Sequence, residues 1–270
     1  MTSVHEPASE GVSFDTGKAH MARVYDFWLG GKDNYAVDRV AAEQVAAAYP
    51  DIRIAVRAQR AFLARAVHFL VTEAGIRQFL DIGTGLPSAN NTHQVAQRAA
   101  PEARVVYVDN DPIVLAHARA LLASSPEGAT DYIDADLRDT GTILERAADT
   151  LDFGQPVAVM LLGILQGIPD KEDPGAIIAR LMDSVPPGSY LALTQIASDI
   201  AAAEVAVGVQ RYNQQAAFPV AARTHAAASG FFAGLDVIEP GVVQVHRWRP
   251  AAGEQADGDL AIYAGIGRKP

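Results

Sequence analysis

Residues Phe79 to Pro87 read FLDIGTGLP, a short apolar run that ends in a Gly-Thr-Gly bend. Strand-like runs recur after it, at Arg104–Val108, Asp131–Ala135, Val157–Leu162 and Tyr190–Ile196, with helical stretches between. Strand–helix alternation demands crossover connections and a mostly parallel sheet covered by helices on both faces. The fully apolar Val157–Leu162 suits a strand buried on both sides. In such a sheet ligands bind beyond the strand C-termini, and glycines there let backbone approach a ligand with no Cβ in the way. The bend is therefore the expected ligand site.

Helix boundaries follow from Asp-Pro pairs at Asp111-Pro112 and Asp173-Pro174, where Asp caps free N–H groups and Pro occupies the first turn. Asp139 is a third expected cap. Before the bend, Ala19 to Tyr49 reads as a helix broken at Gly30-Gly31, and Ile54 to Glu73 as a helix stopped by Gly75. After Ile196, helices are expected at Asp199–Ala217 and Pro219–Ser229. Strands are expected at Leu235–Ile238, Val242–Trp248 and Asp259–Gly265. The layout is a loose tail over 1–18 and one domain over 19–270, with a helical lid or extension at 19–75 and a Rossmann-like core at 76–270.

Two ligand classes use this architecture. Dinucleotides want GxGxxG, and here the third glycine position holds Ser88. Asp81, just before the glycines, would repel a pyrophosphate and suits the ammonium of a methionine moiety. That favours S-adenosylmethionine over NAD. Asp109 ends the second strand, where a carboxylate can accept from ribose hydroxyls. Asp136 and the Leu137 backbone follow the third strand, in place to meet an adenine ring.

DIGTGLP, VVYVDNDP, ADLRD, LLGIL and PPGSYLAL together resemble the class I S-adenosylmethionine-dependent methyltransferases. RVYDFWLGGKDNY, followed by FLDIGTGLP and YVDNDPIVLAHARALL, resembles an actinobacterial family of them first described as a domain of unknown function. The likeness runs from about His20 to Lys269. It implies a seven-stranded sheet, mostly parallel with its last strand antiparallel, and S-adenosylmethionine as cofactor. It implies a binding set of Asp81, Gly83, Gly85, Asp109, Asn110 and Asp136; Thr84, Leu137 and Gly163 complete the expected cofactor-binding set. It also implies a histidine after the fourth strand, where this chain has Gln166.

Methyl transfer asks the protein mainly to align the reactants and exclude water, so no catalytic signature is required. None is present, and no catalytic residue is assigned. Arg23, Tyr25, Asn34 and Tyr35, around the Gly-Gly break, and Gln166, after the fourth strand, are the candidates to meet the acceptor. The rival readings are a catalytically silent binder of the same nucleoside, acting as a regulator, and an NAD(P)-dependent oxidoreductase.

Composition narrows the partners. Acidic residues number 32 against 22 basic, for a net charge of −10, and no basic tract stands out. A small-molecule acceptor is therefore expected over a nucleic acid. The chain has no cysteine, its seven histidines lack zinc-like spacing, and no apolar run nears the ~20 residues of a membrane span. Neither a metal nor a membrane is expected. The opening MTSVHEPASE lacks the basic and apolar regions of a secretory signal, and the cytoplasm is the expected compartment.

Overall fold

The computed structural model describes residues 17–87, 90–121, 124–251 and 258–270. Most of the expected tail lies outside them. Helices α1 (Met21–Leu29), α2 (Ala36–Ala48) and α3 (Ile52–Thr72) precede strand β1 (Gln78–Ile82). Then follow α4 (Thr92–Ala99), β2 (Arg104–Asp109), α5 (Pro112–Leu121), β3 (Ala129–Asp134), α6 (Thr140–Ala147) and β4 (Ala158–Leu162). The second half holds α7 (Pro174–Asp183), β5 (Tyr190–Ile196), α8 (Ala202–Asn213), α9 (His225–Gly230), β6 (Asp236–Val237), β7 (Val243–Gln244) and β8 (Ile262–Arg268).

The sheet order is β3-β2-β1-β4-β5-β8-β6, and β7 pairs with β8 off that path. Strands β1 to β5 are parallel, and β8 runs antiparallel to β5. The sheet is mostly parallel with an antiparallel last strand, as expected, but has eight strands rather than seven, two of them, β6 and β7, only two residues long. The Asp caps form as read: Asp111 accepts from Ile113 N at 2.9 Å, and Asp173 and Asp139 each accept from the backbone three residues on.

Alternation along the strands divides the core. Phe79, Val105 and Met160 face α3 and α4 with Phe62 and Leu70. Leu80, Val106 and Val159 face α6 and α7 with Ile143 and Leu181. Asp81, two residues after Phe79, thus lies on the α3–α4 face. Trp248 is fully buried there, its ring 5.3 Å from Phe62, and Phe232 is buried in the opposite layer.

The segment after β5 departs from the expected pair of long helices. Helix α8 stops at Asn213, whose side chain bonds both Val220 N (2.8 Å) and Val220 O (2.9 Å). Ala216 bridges to Ala19, and Arg223 bridges to Ala197. With these backbone groups satisfied from outside, residues 214–224 run as a loop, and α9 starts only at the Thr224 cap. No helix among the described residues is long and apolar enough to cross a membrane.

Candidate functional site

Parallel pairing sets the C-termini of β1 to β4 side by side and opposes Asp81 to Tyr107 and Asp109 to Asp134. A cavity of about 220 Å³ opens over these ends, roofed by α1, α3 and α8. Every residue of the expected nucleoside set lines it: Asp81, Gly83, Thr84, Gly85, Asp109, Asn110, Asp136, Leu137 and Gly163.

Each has a local reason for its place. Gly83, Gly85 and Gly163 have φ of +77°, +63° and +79°, a region that penalises any side chain with a Cβ. A Cβ on Gly83 would stand 2.6 Å from Ile164 Cβ, whereas one on Gly85 would meet nothing within 4 Å. Gly85 therefore leaves open room where a ligand can approach. Asp109 Oδ2 accepts from Gly85 N and Oδ1 from Asp111 N, both at 2.9 Å. Each oxygen keeps a second lone pair for a hydroxyl. Burial raises the Asp109 carboxyl, against the backbone N–H groups of Asp111 and Gly85 and the nearby His20. Asn110 Nδ2 donates to Asp136 Oδ2 at 3.2 Å, and Arg138 holds both oxygens of Asp136 at 3.1 Å.

Asp81 is 5% exposed. Thr92 Oγ1 donates to its Oδ2 at 2.6 Å. Burial pushes the carboxyl up to about 6, with Thr92 and Arg60 pulling the other way. A cation in the cavity would complete this site. The residues thus fit a nucleoside that carries an ammonium: lone pairs for ribose, a cradle at Gly85 and a buried carboxylate.

The acceptor candidates divide. Tyr25 and Gln166 line the cavity. The Tyr25 hydroxyl donates to Val56 O at 3.0 Å, and burial holds its phenol far above the ordinary range. The structure does not bring Arg23, Asn34 or Tyr35 to the cavity wall. Arg23 is 4% exposed, with Nε 2.9 Å from Asp38 Oδ2 and Nη1 3.5 Å from Asp111 Oδ2. Asn34 donates to Asp26 Oδ2 at 2.8 Å and to Gly31 O at 3.1 Å. Tyr35 is 40% exposed at the N-terminus of α2, its ring beside Arg23. The GGKDNY turn is thus a folding device. Gly30 closes α1 at φ +87°, and a Cβ on Gly31 would overlap the Asp26 carboxylate that organises Asp33 and Asn34.

Other residues reach the site with no motif to mark them. Gln59 and Arg60 come from α3, and His20 comes from the N-cap of α1 with Nδ1 3.1 Å from Asp111 Oδ2. Arg223 is 4% exposed and ties the loop after β4 from behind. It donates to Leu165 O, Ile168 O, Gln195 Oε1 and Asp170 Oδ1. An amphipathic reading of α3 could have found Gln59, a polar residue on its buried face. Among the described residues, no group of three or more His, Asp or Glu is arranged to hold a metal ion.

A family model described as S-adenosyl methyltransferase matches residues 7–270. A DUF574 family protein from Streptomyces avermitilis MA-4680 is 46% identical, with a TM-score of 0.91 over 95% of this chain and 99% of that one. A protein from Thermobifida fusca YX is 39% identical, with a TM-score of 0.85 over 94% and 96%. No curated protein matches the chain.

Proposed function

The chain belongs to the S-adenosyl methyltransferase family, and on that premise we propose that it methylates a small molecule held beside the donor in the cavity over β1 to β5. It is a methyltransferase with S-adenosylmethionine as its donor. One observation carries the residue assignment: Asp81, Asp109 and Asp136, from three adjacent strand ends, line a single cavity that continues to Gly163 and Gln166.

When bound, S-adenosylmethionine supplies a methyl group already activated by the sulfonium charge. The chain binds and aligns. Asp81 takes the ammonium. Asp109 takes the ribose hydroxyls on its spare lone pairs, with Asn110 alongside. Asp136 and the Leu137 backbone take the adenine edge. Gly83, Thr84, Gly85 and Gly163 line the donor side, and Gly85 gives backbone close approach. Tyr25 and Gln166 stand on the acceptor side. Residues 19–75 act as a cover over the core at 76–270 within one domain, excluding water as a displacement reaction requires. The net charge of −10 and the lack of a basic tract support a small molecule over a nucleic acid. The cysteine-free composition supports a cytoplasmic location.

Titration calorimetry with S-adenosylmethionine and with NADH tests the assignment. Binding of the first and not the second is expected, with tenfold or greater weakening in Asp109→Ala. NADH binding, or S-adenosylmethionine binding indifferent to Asp109 and Asp81, overturns it. Release of S-adenosylhomocysteine in the presence of candidate acceptors separates an enzyme from a silent binder.

A further inference from the structure

The cavity is divided by charge. Among the described residues, the charged and histidine side chains that line it are His20, Arg60, Asp81, Asp109, Asp136 and Arg138. All belong to the side of β1, β2 and β3. Asp81 and Asp109 lie in β1 and β2, and Asp136 and Arg138 follow β3. His20 sits against Asp111, and Arg60 donates to Asn90 O at 3.1 Å, next to the start of α4. The other side, over β5 and β8, is lined by Ile52, Ile196, Val205, Val209, Ala261 and Ile262. Tyr49 joins them, but its hydroxyl already accepts from Ala261 N at 3.0 Å.

Two carboxamides stand on the divide. A Cβ on Gly163, just beyond the end of β4, would lie 2.6 Å from Gln59 Nε2 and 3.6 Å from Gln166 Nε2. The two side chains converge there from α3 and from the turn after β4. Each is 8% exposed, each faces the cavity, and neither makes a side-chain hydrogen bond within the described protein. Amides that open on a cavity without protein partners keep their donors and acceptor for a ligand there. The carboxamide carries both donors and an acceptor but no charge.

We propose that Gln59 and Gln166 form the acceptor-recognition pair, and that the acceptor is a neutral, largely apolar small molecule presenting one uncharged hydroxyl or amine to them. Its body lies against the aliphatic wall over β5 and β8. A carboxylate or ammonium elsewhere on the molecule is excluded, since that wall offers no counter-charge, and the unpartnered Tyr212 hydroxyl of α8, itself neutral, does not compensate the desolvation of an ion. This rests on the reading that the charged side holds the methyl donor.

Protein saturated with S-adenosylhomocysteine is titrated with phenol, 2-naphthol and biphenyl-4-ol, followed by their fluorescence. Carboxylated counterparts of each are titrated in parallel. At least one neutral probe is expected to bind saturably and at least tenfold more tightly than its carboxylate. Gln59→Leu and Gln166→Leu should each weaken that probe by about fivefold to tenfold, the loss of one hydrogen bond, while S-adenosylhomocysteine affinity changes by less than about threefold. Gln59→Glu and Gln166→Glu, close in shape but charged, should weaken it further. Three outcomes overturn the proposal: no neutral probe binds, a carboxylate binds as well, or the leucine variants bind the probe like the parent. If the leucine variants lose S-adenosylhomocysteine instead, the pair belongs to the donor and the proposal also fails. Absence of S-adenosylhomocysteine binding in the parent protein is a different result and refutes the underlying donor reading.

Discussion

The Thr92 hydroxyl and the Asp81 carboxylate are 2.6 Å apart, a bond that ties Oδ2 to α4 in a side chain that lines the cavity. The carboxyl is pushed up to about 6 by burial, so the folded chain holds this proton more tightly than an unfolded chain does. Stability therefore falls as pH rises from about 4 to about 6 and stays lowered above that. Asp81→Asn keeps an oxygen for Thr92 and removes the buried charge. It is expected to raise stability by about 1–3 kcal/mol at pH 7, a gain that shrinks toward pH 5. Urea unfolding at the two pH values reads this out. A variant less stable than the parent at pH 7 would contradict it.

The same carboxyl sets the pH dependence of donor binding. An ammonium is held by the ionised form only, so affinity for S-adenosylmethionine should fall as pH drops through about 6, approaching tenfold per unit below it. Asp109, also raised by burial, can add to the slope. Asp81→Asn separates the two: its binding should be at least tenfold weaker at pH 7 and should retain only the slope due to Asp109. Calorimetry from pH 5 to pH 8 on both proteins decides it.

The features legible in the sequence were those set by local chemistry. Asp111, Asp139 and Asp173 announced three helix starts because capping is a short-range bond. Alternating strands and helices gave the sheet, and the order of Asp81, Asp109 and Asp136 gave one wall of the cavity. The opposite wall depends on contacts distant in sequence. Gln59 and Gln166 are 107 positions apart and meet only because α3 crosses the end of β4. The RVYDFWLGGKDNY motif divides for a related reason, with Tyr25 on the cavity wall and Arg23, Asn34 and Tyr35 away from it. A dense run of polar residues reads as a binding surface, whereas Arg23 answers Asp38 and Asp111, and Asn34 answers Asp26. The loop at 214–224 looked helical by composition, and only Asn213 clasping Val220 shows why it is not.

Arg23 should therefore behave as a support and not as an acceptor ligand. Asp38 is fully buried, and Asp111 is 4% exposed. Arg23→Met leaves both without their guanidinium, although Asp38 keeps the backbone N–H groups of His20 and Tyr35. A loss of about 3–5 kcal/mol is expected. The variant that remains folded should bind S-adenosylmethionine within a few-fold of the parent. Asn34→Ala, which loses the bonds to Asp26, Gly31 and Arg39, should cost about 1 kcal/mol and leave methyl transfer unchanged. A selective rise in acceptor KM for Asn34→Ala, at unchanged melting temperature, would return the turn to the binding site.

Two glycines of the bend should respond differently to the same substitution. Both have positive φ, so alanine costs about 1–2 kcal/mol of backbone strain at either. At Gly83 the new methyl would also come within 2.6 to 2.8 Å of three Ile164 carbons. Ile164 is a branched side chain in the turn that carries Gln166, so it yields only by shifting that turn. Gly83→Ala is expected to lose about 3 kcal/mol or more. At Gly85 the methyl meets nothing, and stability should fall by the strain alone. That methyl enters open space on the cavity side of the bend, more than 4 Å from the Asp109 carboxylate that Gly85 N contacts at 2.9 Å. Gly85→Ala should therefore weaken S-adenosylmethionine binding by at least tenfold through steric exclusion. Thermal melts rank the stabilities and calorimetry ranks the affinities. If Gly85→Ala binds the donor like the parent, the nucleoside does not lie over this bend.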